Sequence, residues 1–123
     1  MTDFSSHAHL MACVCAGHQL RAEHVTDRRC WNALRTKRAW LNGETGEDEL
    51  SAAFAAVVVA GDEASFRPSC DAVWATVYAS VADHRLAPAV ASFRLASWSA
   101  RGRGDLGGCA ALVELARAVE EAP

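Results

Sequence analysis

Between its turn signals this chain repeats apolar residues every three or four positions, and nowhere at every second one. Leu50, Phe54, Val57, Val58 and Gly61 show the pattern, and so do Cys70, Val73, Trp74, Val77 and Val81. That spacing is the period of an α-helix and not of a half-buried strand. Even the β-branched run Val57 to Val59 sits inside a helical pattern. Ala, the strongest helix former, supplies 26 of the 123 residues. A chain of this length fits one compact domain, 1–123, with one core. The expected fold is therefore all-α: a single compact bundle of five to six helices.

The first helix is expected over 4–25, with Asp3 or Ser6 available as its cap. The second follows the N-cap pair Thr26-Asp27 and runs to Leu41, where Asn42-Gly43 makes a usual ending. The third opens in the acidic stretch after Thr45, which offers capping; Asp48 and Glu49 there suit the positive end of a helix dipole. The fourth starts at Ser69 or Asp71 and runs to His84, and the fifth spans 87–101 with Pro88 in its first turn. "RGRGDLGG" is the clearest break, and a last helix over 108–121 buries Cys109, Leu112, Ala116 and Val119.

The formal net charge is −3, which argues against a dedicated nucleic-acid binder. No apolar run approaches the roughly 18 residues that span a bilayer. The opening "MTDFSSHAHL" lacks the basic start of a signal peptide, so the expected location is cytoplasmic and no membrane partner is expected. Arg outnumbers Lys eleven to one, a bias expected of a GC-rich bacterial genome. Five Cys, an odd number without secretory context, are expected to be reduced thiols.

The densest cluster of reactive residue types is "HAHLMACVCAGH", 7–18. At about 100° per residue, Phe4, His7, Met11, Val14, Cys15 and His18 fall on one side of the first helix, read here as its inner side. Ser5, His9, Gln19 and Glu23 fall on the other. Cys13 and Cys15 point about 160° apart and cannot chelate one ion. The compatible metal-ligand stripe is His7, Met11, Cys15 and His18; only neighbours three or four apart, such as Cys15 with His18, can share one ion, and further ligands would come from Cys30, Cys70, His84 or Cys109. Haem ligation by His7 or His18 with a Met belongs to the same reading, although no C-x-x-C-H motif is present. The ordinary alternative is a core face, because Cys and Met pack well and a His can bury with one nitrogen satisfied. On that reading no cofactor is expected.

The second helix, "RRCWNALRTKRAW", interleaves cations with Trp31 and Trp40. Such a pattern can hold phosphates and stack bases, or simply present a solvated basic face with the Trp rings anchored in the core. "GRGDLGG" lacks the Lys-Ser/Thr ending of a phosphate loop. No Gly-x-Ser-x-Gly, His-Glu-x-x-His or Asp-x-Asp pattern is present, and no Cys-His pair is singled out. The expectation is that the chain is not an enzyme.

The segment "ACVCAGHQLRAEHVTDRRCWNALRTKRAWLNGE" resembles a family of small helical immunity proteins from bacterial polymorphic-toxin systems. The matching positions are Asp27, Arg28, Arg29, Ala33, Leu34, Arg38, Ala39, Trp40, Gly43 and Glu44. Farther on, "VYASVADHRLAPAVASFRLA" resembles the family's Ala-rich helix pair, with His84 at its junction. The family often carries a second His where this chain has Ser80. The likeness spans about residues 10–98 and implies an all-helical, non-catalytic protein that binds a toxin-like protein partner. On this reading Arg28, Arg35 and Lys37 on the exposed basic side of the second helix are the expected contacts, with Glu44, Glu47 and Asp48 of the acidic turn. A homodimer is compatible with all of this. The residues also have architectural roles: Asp27 caps the second helix, Gly43 ends it, and Trp40 is expected to plug the bundle between helices one and three.

Overall fold

The computed structural model describes residues 3–121, and among them there is no strand. Six helices follow in order: α1 (Asp3–Ala22), α2 (Arg28–Leu41), α3 (Glu47–Glu63), α4 (Cys70–Ala79), α5 (Ala87–Gly102) and α6 (Leu106–Glu120). The shortest helix, α4, is the hub: it packs against α1, α2, α3 and α5. Its buried residues are small, Ala72, Val73, Ala75, Thr76, Val77 and Ala79. Small side chains shorten the distance between helix axes, and so four neighbours can reach one ten-residue helix. α2 and α3 form an antiparallel pair on one flank, while α6 packs chiefly on α5 at the other.

Local chemistry sets each end. The Asp27 carboxylate accepts from the Arg29 backbone N–H at 2.9 Å, as expected of an N-cap. The Arg29 guanidinium spans Asp27 and Glu63, at 2.6 and 2.7 Å, and so ties the start of α2 to the end of α3. Gly43 has φ +75° and allows the Glu44 N–H to reach back to the Ala39 carbonyl at 2.8 Å. α1 stops at Ala22, three residues before the expected end, because His24 takes φ +57° and Val25 bonds back to the Leu20 carbonyl. Thr45 does not cap α3; Gly46 stands at that position, and the dipole is met by Glu47, Asp48 and Glu49 in the first turn. The α5–α6 corner is held to α1 by Arg103, which donates to Gln19 at 2.7 Å and to Glu23 at 2.8 Å.

The larger departures from the sequence pattern are in α1 and α4. The inner face of α1 is the opposite of the one expected. Phe4, Met11 and Val14 are 46%, 39% and 53% exposed, and His7 and His18 are exposed with them. The buried face is Ser5, Ala8, His9, Ala12, Cys13, Ala16, Gln19 and Leu20. Apolar residues surround this helix on all sides, and small ones were selected for the core because α4 and α5 approach closely there. α4 ends at Ala79, not at His84. The Ser80 hydroxyl folds back onto the Thr76 and Val77 carbonyls, at 2.9 and 3.0 Å, and the chain turns away.

α3 meets the Trp74 ring of α4 at Gly61, where an added Cβ would stand 2.8 Å from that ring. Gly61→Ala should therefore lower unfolding free energy by about 1–3 kcal/mol in urea titration. Gly17→Ala is the control: its Cβ would find its nearest neighbour at 3.5 Å, and helix propensity should make it neutral or stabilising by up to about 1 kcal/mol.

Candidate functional site

Two features stand apart from ordinary helix packing. The first is a buried polar knot where α1 and α2 meet the α4–α5 connection, residues 80–86. That connection lacks helical partners for its carbonyls, and side chains supply them. Lys37 donates to the Val81 carbonyl and Ser5 to the His84 carbonyl. Nε2 of His9 donates to the Arg85 carbonyl at 2.8 Å. The Asp83 carboxylate accepts from the Arg85 N–H at 2.8 Å and closes the turn. Trp40 stacks on His84 with ring centroids 4.5 Å apart, and the Lys37 ammonium lies 5.1 Å from the same indole. Trp40 thus lies over this connection and does not plug a gap between helices one and three.

Lys37 is fully buried, which corrects its expected place on the exposed basic side. Burial pushes its ammonium down to about 8, partly offset by Cys13 and Asp83. His9 is also lowered, first by burial and then by the Lys37 charge. Burial pushes the Cys13 thiol up to about 11, against the pull of Lys37 and Arg38. Cys15, Cys30 and Cys70 are raised as well, each chiefly by burial. All five cysteines are free.

The second feature is a cleft of about 470 Å³ between α1 and α2. Val14, Gly17, Trp31 and Leu34 form its floor, and His18, Arg21, Arg35 and Arg38 its walls. Asn42 and Glu44 close one end. Trp31 is fixed by its indole N–H, which donates to the Val25 carbonyl at 3.0 Å, and Arg21 lies 5.8 Å over its ring. A second depression shares Trp31 and Arg35 with this cleft and is lined also by Arg28, Arg29 and Asn32. Arg29, Arg85, Arg94, Arg103 and Arg117 all form ion pairs. Arg21, Arg28, Arg35 and Arg38 form none among the described residues, so the surface along α1 and α2 carries unneutralised positive charge.

Of the expected contacts, Arg28 and Arg35 are exposed on this surface. Glu44 lines the cleft, and Glu47 and Asp48 are exposed on the first turn of α3. Lys37 is the exception, on the opposite side of α2. Arg21 and Arg38 complete the site and were not among the expected contacts. The signal for Arg38 was in the spacing: Arg28, Trp31, Arg35 and Arg38 recur at helical intervals on one stripe, and Lys37, nine residues after Arg28, points about 180° away. The metal set is not assembled. His7 and His18 face outward, Cys15 is half-buried, and His84 sits on the far connection against Trp40. Among the described residues no three His, Cys, Asp or Glu side chains are grouped to hold a metal ion.

Compared with family models, curated proteins and solved structures, the chain matches none.

The Lys37 shift has a measurable consequence. Between about pH 8 and 10.5 the unfolded chain still holds the Lys37 proton and the folded chain has released it, so stability contributed by this residue rises with pH there. Raised thiols such as Cys13 act in the opposite sense, so the comparison is with Lys37→Met, which keeps them. Wild-type unfolding free energy relative to Lys37→Met should climb by up to about 3 kcal/mol across that window in urea titrations. A flat difference would show that Lys37 is not desolvated.

Proposed function

We propose that this chain is a non-enzymatic protein-binding module of the cytoplasm, similar in role to an immunity protein that occludes a toxin-like partner. The observation that carries this reading is the run of unneutralised arginines along α1 and α2, beside an exposed acidic turn. Solvated arginines need no ion pair within the fold, and a cluster of them left unpaired steers association with an oppositely charged surface. Burial raises the thiols of Cys13, Cys15, Cys30 and Cys70, which makes these four poor nucleophiles. Among the described residues no helix is long and apolar enough to cross a membrane.

The test is co-expression with the product of the adjacent gene, followed by co-purification and measurement of association kinetics. A stable complex is expected. Arg28→Glu with Arg35→Glu should slow association about tenfold or more at low salt and leave thermal unfolding within a few degrees of wild type. Absence of any complex, or an association rate untouched by the double reversal, would sink this reading.

A further inference from the structure

The geometry points to the α1–α2 cleft as the seat of a mixed-charge peptide segment of the partner, an acidic residue beside an apolar one and followed by a base. This inference rests on the protein-binding reading above and specifies its chemistry. Arg21, Arg35 and Arg38 converge on one concave space of about 470 Å³ and make no ion pair among the described residues. Arginine forks match carboxylates in a planar, two-bond geometry, and here three are available to one ligand. The floor beneath them is apolar. Val14 is 53% exposed there, and the Trp31 ring is held in place by its bond to the Val25 carbonyl. An aliphatic or aromatic side chain next to the carboxylate would cover both.

Glu44 decides between kinds of polyanion. It stands inside the same cleft, with Glu47, Asp48 and Glu49 following on the next helix turn. A nucleic-acid strand presents phosphate at every step and would be repelled at that end. A peptide can place its carboxylate on the arginines and its own Lys or Arg against Glu44. The formal net charge of −3 acts in the same direction, against a polyphosphate and not against a segment of mixed charge.

The experiment is selection of a displayed random peptide library on the full chain, with parallel selections on Arg35→Glu/Arg38→Glu and on Glu44→Lys. Wild type should enrich peptides with Asp or Glu next to an apolar residue and a base nearby. A synthetic peptide of the enriched sequence should bind the double-arginine variant at least about tenfold more weakly by calorimetry. Glu44→Lys should lose the preference for the base and keep that for the acid. All three residues are exposed, and matched circular dichroism melts will verify that the variants fold. Enrichment without acidic residues, or enrichment that survives in Arg35→Glu/Arg38→Glu, would overturn the proposal. Tighter binding of a labelled twelve-nucleotide oligouridylate than of any selected peptide, abolished by the same variant, would overturn it in favour of RNA. If a protein complex forms and its affinity is unchanged by the cleft variants, the cleft proposal falls and the binding-module reading stands. If the cleft selects peptides but no protein complex is found, the reverse holds.

Discussion

The hydrogen bond from the buried Lys37 ammonium to the Val81 carbonyl is the constraint from which much of this architecture follows. A buried backbone carbonyl without a partner is costly, and the chain after a helix end carries several. Here α4 ends deep in the bundle, and its exit is satisfied by side chains from two other helices. Lys37 comes from α2, and Ser5 and His9 come from α1. Ser5 and His9 reach that exit from the polar, small-residue side of α1, which is turned inward. The exit also sets where α5 begins, because Ala87 follows directly on the pinned segment. The cleft on the other side of α1 and α2 is the counterpart of this arrangement: with Lys37 turned in, Arg35 and Arg38 are turned out.

Helix number and most boundaries were readable from the sequence because they depend on local signals. Asp27, Gly43 and Pro88 act on their own neighbours, and the expected stripes of α3 and α6 contain residues that are buried, Leu50, Val57 and Gly61 in one and Leu112, Ala116 and Val119 in the other. The face of α1 was not readable in that way. Phe4, Met11 and Val14 are larger and more apolar than Ala8, Ala12 and Ala16, so a hydrophobic reading turns the helix the wrong way. What decided it was close packing against Ala-rich neighbours, and the buried His9 and Gln19 each find a partner 76 or more residues away in sequence. Long-range polar partners leave no mark in a local periodicity. The end of α4 failed for a related reason, since the pattern through Val81 and His84 continues after the backbone has turned at Ser80.

The candidate interface shows the same division. The basic stripe on α2 follows from spacing alone, and that spacing, applied to Lys37, separates it from Arg28 and Arg35. The charge of Lys37 suggested exposure, and charge outweighed geometry in that reading. The cleft itself required the relation of α1 to α2, because Arg21 and Val14 come from one helix and Trp31 and Arg38 from the other.

The placement of α6 has its own consequence. It rests chiefly on α5, with the Arg94–Glu120 pair across that seam, while every other helix is held by two or more neighbours. Cooperativity in such a bundle is graded and not uniform. α6, held chiefly by one neighbour, is the element whose amides open to exchange most readily. Local opening of the molecule therefore begins at its last helix, ahead of the helices that α4 ties together.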